Sequence, residues 1–133
     1  MMQNVLGKVS KFKNKIAFAE VKGKTVIFDS ILQRDRYLYL AAMELMEEIK
    51  SLELQPEYVL QEGFKLRDKK HKSISYRPDF RYRDKVGYVV VEDAREIKTD
   101  AYQIQKKLFL PKYGFALKFI EVFSEGGGFK EVV

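Results

Sequence analysis

SISYRPDFRYRDKVGYVVVEDAR, residues Ser73 to Arg95, is the stretch whose reading decides the fold. Ile74, Tyr76, Pro78, Phe80 and Tyr82 alternate with Ser75, Arg77, Asp79 and Arg81. Period two predicts one half-buried strand with Asp79 on its polar face. Asp84 to Gly87 supplies the turn, and Tyr88 to Ala94 follows with Val89 and Val91 on one face, Tyr88 and Val90 on the other. Apolar residues on both faces predict a central strand covered from both sides.

Two neighbouring strands then bring charged groups together. Asp93 and Arg95 share a face, with Glu92 and Ala94 on the other. If Asp79 lies on that face next door, the two aspartates reach one divalent cation, and a basic side chain stands beside it. Phosphodiester hydrolysis needs such an ion to activate water and to neutralise charge in the transition state. The competing explanation is structural: a buried acid needs a partner, and Arg77 or Arg81 can form an ion pair with Asp93 or Glu92.

Toward the C-terminus, Thr99 or Asp100 caps a predicted helix with Ala101, Ile104 and Leu108 facing the core and a stop at Pro111. Phe115 to Phe123 reads as the last strand. Residues 124–133, loosened by glycines 126 to 128, read as a poorly ordered tail. Toward the N-terminus, Glu62 to Lys72 is a basic, turn-like segment, and its His71, the only histidine, reads as a solvated loop residue. Leu54 to Gln61 is a predicted strand with Pro56 near its start.

Ser30 opens a predicted helix running to about Lys50. Ser30 and Gln33 fit a capping box, and Ile31, Leu38, Ala42, Leu45 and Ile49 fall on the expected core face. Glu44, Glu47 and Glu48 near its C-terminal end oppose the helix dipole, which nothing in the sequence explains. Ile16 to Glu20 and Thr25 to Phe28 make a hairpin turning at Gly23. Residues 1–15 carry Lys8, Lys11, Lys13 and Lys15 as a basic arm.

The chain of 133 residues, 46% hydrophobic, suits a single domain of the α/β class, with an αβββαβ core behind an N-terminal β-hairpin. It has no cysteine, which excludes disulfides and thiolate metal sites and points to a reducing compartment, the cytoplasm. No apolar run approaches the roughly 20 residues of a membrane span, and the first residues lack a signal-peptide pattern. A formal charge of +6 suits a polyanionic partner, nucleic acid first and a membrane surface second.

RPDF followed at a short interval by VVVEDAR resembles the PD-(D/E)xK nuclease superfamily. The blocks FDS-x-x-x-x-x-x-YLYL, LELQPEYVLQ, PDF, VVEDAR and KTDAYQIQKKLF are similar to small phage-encoded, Holliday junction resolvase-like proteins of that superfamily, over about Phe28 to Phe119. The resemblance implies a restriction-endonuclease-like core and a metal-dependent DNA endonuclease acting on branched or structured phage DNA. Its cofactor would be Mg2+ or Mn2+, held by Asp79 and Asp93. Arg95 stands where the family has its catalytic lysine, and Gln33 where it has a glutamate. An arginine practically never gives up a proton, and a glutamine cannot ligate as an acid, so these departures define an alternative: a catalytically impaired nuclease fold that binds DNA or a host protein. Phosphate contacts are expected from Lys65, Arg67, Lys69, Lys70 and Lys72, and from Lys98, Lys106 and Lys107. A homodimer in the host cytoplasm is the implied assembly.

Overall fold

The computed structural model describes residues 16–133, and the expected basic arm at residues 1–15 lies outside them. β1 (Ala17–Val21) and β2 (Lys24–Phe28) form the expected hairpin, closed by Lys22 and Gly23, both at positive φ. Two central residues of that kind match the right-handed twist of the strands they join. Ser30 caps α1 (Ile31–Leu45) by accepting a hydrogen bond from the Gln33 N–H. The Gln33 side chain reaches back to the N–H of Asp29, one residue beyond the N-cap N–H that a regular capping box engages.

α1 stops at Leu45, before the expected Lys50, because Glu47 turns to positive φ and Lys50 already opens β3 (Lys50–Leu54). Glu44, unexplained by the helix dipole, accepts from the Leu52 N–H and so ties the helix end to β3. The buried face of α1 is Leu32, Arg36, Tyr37 and Leu40, whereas Ile31, Leu38, Ala42 and Leu45 are exposed. The expected face is displaced because a charged residue, Arg36, occupies the centre of the true one. Ile49, just past the helix, is buried as expected.

Leu54 to Gln61 is not one strand: Gln55, at positive φ, and Pro56 separate β3 from β4 (Tyr58–Gln61). The turn-like segment expected at 62–72 is a second hairpin, β5 (Phe64–Leu66) and β6 (Lys69–His71), closed by Arg67 and Asp68 at positive φ. His71 is therefore a strand residue, its ring stacked on Phe64 at 4.5 Å. The expected strand Ile74–Tyr82 breaks into β7 (Ile74–Tyr76), which pairs with β4, and β8 (Phe80–Arg83). β9 (Val89–Ala94) follows a turn in which the Asp84 carboxylate accepts from the N–H groups of Val86, Gly87 and Tyr88.

α2 (Asp100–Tyr113) is capped by Thr99 and runs through Pro111. It buries Tyr102 and Phe109, leaving Ala101, Ile104 and Leu108 exposed. A 3-10 turn over Gly114–Ala116 delays the last long strand to β10 (Lys118–Glu125). The expected loose tail is β11 (Gly128–Val132), hairpinned to β10 through Gly126 and Gly127, both at positive φ.

The result is a mixed α/β fold around a five-stranded sheet of order β11-β10-β9-β8-β3. β9 is central, parallel to β10 and antiparallel to β8. Alternation sends Val90 to the α1 side with Tyr37, Leu40, Phe80 and Tyr82, and Val91 to the α2 side with Tyr76, Tyr102, Phe109 and Phe119. Glu92, on the α1 side, is fully buried. Arg36 offsets it with a bidentate pair at 2.7 and 2.8 Å, and Tyr82 also donates to it. Among the described residues no helix is long and apolar enough to cross a membrane.

Candidate active site

β8 and β9 end beside each other, with Phe80 opposite Glu92. One step beyond that pair, Asp79 and Asp93 meet at the end of the sheet, both buried. Asp79 is thus not on a solvated face, as alternation alone suggests. It immediately precedes β8, where α1 and the end of β9 cover it. One oxygen accepts from Gln33 Nε2 at 2.8 Å and the other from the Ala94 N–H at 2.8 Å. Gln33, engaged at its other end by Asp29, braces Asp79 against the start of α1.

Asp93 accepts from Arg95 Nε at 2.6 Å and from the Tyr76 hydroxyl on its second oxygen. The Arg95 guanidinium lies 4.0 Å from the centre of the Tyr102 ring. Tyr102 donates to Glu121, which also receives Lys106 at 2.9 Å and Lys98 at 3.4 Å. Glu121 stands opposite Asp93 in the β9–β10 register, so three acids line up across three adjacent strand positions.

Electrostatics separates these acids. Burial pushes the Asp79 carboxyl well above the ordinary aspartate range, the charge of Asp93 adds to this, and the Ala94 N–H only partly offsets it. Asp93 is also raised by burial, against Arg95 and Tyr76, which favour its charged form. Burial also opposes the charge of Glu121, but hydrogen bonds from Tyr102 and Lys106 outweigh it, and its pKa ends below the usual value. Burial works against the charge of Arg95 too, yet Asp93 more than offsets it and the guanidinium is held protonated.

The four site residues expected from sequence, Gln33, Asp79, Asp93 and Arg95, come together. The expected structural pairs do not form: Arg77 bonds to Glu57, Arg81 to Glu53, and Glu92 is committed to Arg36. Of the expected phosphate contacts, Lys65, Arg67, Lys69 and Lys70 lie on the β5–β6 hairpin, with Lys72 at its base. Lys107 is exposed on α2, whereas Lys98 and Lys106 are held by Glu121. Sequence reading missed Tyr76, Tyr102 and Glu121. An acid inside the otherwise apolar FIEVF was the available signal, since buried carboxylates need partners.

Among the described residues no group of three or more histidine, cysteine, aspartate or glutamate side chains is spaced to hold a metal ion. Two carboxylates nevertheless suit magnesium, which usually takes one or two protein acids and completes its shell with water and substrate phosphate. Each aspartate oxygen carries one hydrogen bond and keeps acceptor capacity.

A family model described as "Protein of unknown function (DUF1064)" matches residues 9–122. No curated protein and no solved structure matches the chain.

Proposed function

We propose that this chain, which belongs to the DUF1064 family, is a metal-dependent DNA endonuclease of the resolvase-like type, acting on branched or structured DNA. The observation that carries the reading is the meeting of Asp79 and Asp93 at the adjoining ends of β8 and β9, with Arg95 bonded to Asp93. The order α1, β3, β8, β9, α2, β10 supports a restriction-endonuclease-like αβββαβ core, with β4 to β7 as an insertion between β3 and β8.

Asp79 and Asp93 would hold Mg2+ or Mn2+, which when bound activates water and neutralises charge on the phosphate. Gln33 and the Ala94 N–H fix the Asp79 carboxylate, and Tyr76 fixes that of Asp93. Arg95 contributes a permanent positive charge beside the scissile phosphate and no proton transfer. A polyanion such as DNA suits the β5–β6 hairpin, which places Lys65 directly opposite Lys70, with Asp68 4.0 Å from Lys65 as a weak exposed counter-charge. Like charges in that position weaken a two-stranded arm unless a partner neutralises them.

The test is single-turnover cleavage of a four-way junction with magnesium or manganese. Wild-type protein should cut, Asp79→Ala should not, and Arg95→Lys with Gln33→Glu should cut faster. A second reading is favoured by the Arg95–Asp93 pair, which takes up a carboxylate oxygen otherwise available to the ion. On that reading the chain keeps the fold and binds DNA or a host protein without cutting. A silent wild type beside a cutting double variant would establish it.

A further inference from the structure

A cavity of about 460 Å3 opens at the other end of β8 from Asp79. Arg81 and Arg83, two apart and so on one face of β8, form its floor with Val89. Glu53 and Tyr58 make one wall, while Lys112, Tyr113 and Phe115 make the other, at the end of α2 and in the 3-10 turn. On β9, Val91 and the aromatic cluster packed on it separate Val89 from Asp93, so the cavity is distinct from the acid pair.

Its lining sets three cations against one acid. Arg81 is already oriented: Nε donates to Glu53 at 2.5 Å, Nη1 donates to the Tyr58 hydroxyl at 3.0 Å, and the guanidinium lies 5.4 Å from the Tyr58 ring centre. Arg83 Nη1 donates to the Gly87 carbonyl at 3.0 Å, and the Lys112 ammonium lies 5.7 Å from the Tyr113 ring centre. The remaining amino group of Arg81, the other donors of Arg83 and the Lys112 ammonium have capacity to meet an anion. Phe115, 87% exposed at the rim, spends a large ring on solvent, and Tyr113 stands beside it in the wall. The volume is within the usual range for a small-molecule site. Cations in the wall disfavour an apolar ligand, and their excess disfavours a cationic one. An anion carrying a flat ring satisfies both halves of the lining.

We propose that this cavity binds one nucleotide unit, its phosphate on Arg81, Arg83 and Lys112 and its base against Phe115 and Tyr113. The unit is either a free mononucleotide or the 5′-phosphorylated end of a DNA strand, which present the same chemistry. The site stands independently of the acid pair and needs no metal.

Calorimetric titration of the metal-free protein with 5′-dAMP and, separately, inorganic phosphate tests it. The expected result is saturable one-to-one binding of 5′-dAMP, about tenfold or more tighter than phosphate. Phe115→Ala should remove about that factor and leave phosphate binding unchanged, because base stacking is lost. Lys112→Ala should weaken both probes. Both side chains are exposed, so neither change threatens folding, and Asp79→Ala should leave the titration unaltered. A short single strand with a 5′-phosphate binding tighter than 5′-dAMP and than its 5′-hydroxyl counterpart assigns the site to a strand end. Equal affinity of the strand and the mononucleotide assigns it to free nucleotide. No saturable heat with millimolar 5′-dAMP overturns the proposal, as does equal binding of phosphate and nucleotide with Phe115→Ala silent. Neither failure touches junction cleavage, and loss of cleavage does not touch this site.

Discussion

Asp79 shows how far one residue can be read from sequence. Its type and its place before Phe80 predict proximity to Asp93, and the two do meet. Its environment was not legible, because alternation assigns it a polar face while α1 and the end of β9 bury it. That burial has a pH consequence. A carboxyl whose folded-state pKa is raised binds its proton more tightly in the native state, so its stabilising contribution is full below the unfolded-state value and is lost as pH rises through the raised one. Asp79→Asn removes this titration while keeping an acceptor for Ala94. Urea midpoints measured from neutral to mildly acidic pH should therefore show wild type gaining on Asp79→Asn as pH falls. A pH-independent difference between the two would defeat the assignment. Glu121, whose pKa is lowered, works in the opposite sense, and the comparison cancels it because both proteins carry it.

At the scale of elements, the β5–β6 hairpin was hidden from sequence by its turn. The hairpin at Gly23 announces itself with glycine, whereas Arg67 and Asp68 adopt the same positive-φ pattern without one. What was legible there was charge, and the fold converts that charge into two faces: Lys65 and Lys70 on one, Phe64 stacked on His71 on the other. If the lysine face meets phosphates, Lys65→Gln with Lys70→Gln should flatten the dependence of log K on log salt by about 2, close to one per lost contact. Electrophoretic or anisotropy titrations of duplex DNA at several salt concentrations measure this, and an unchanged slope would remove the hairpin from the interface. The two helices were found with their caps but with the wrong faces inward. Leu32, Tyr37 and Leu40 fall into a helical pattern only once Arg36 is allowed among them. Likewise Tyr102 and Phe109 bury a face of α2 that Gln105 and Lys106 make look polar.

Across the whole molecule, Arg36 joins three parts of the chain: it lies on α1, pairs with Glu92 on β9, and donates to Glu131 of β11 at 2.7 Å. Arg36 is 2% exposed and Glu92 0%, so cutting the pair from one side leaves an unneutralised buried charge. Arg36→Met should cost about 3–5 kcal/mol in urea unfolding. Glu131→Gln should cost under about 1 kcal/mol, because that carboxylate is half exposed. Equal effects would mean that Glu92 finds another partner. By itself the sequence determined the α/β class, the central apolar strand, the N-terminal hairpin, the helix caps and the two aspartates that meet, because all of these follow from local period, turn residues and residue type. Tertiary structure alone decided which helix faces turn inward, that residues 128–132 form an edge strand, and that Glu92 is taken by Arg36. The reason is physical: a buried charge is tolerated only where a distant part of the chain supplies its counter-charge, and no local pattern records that distance.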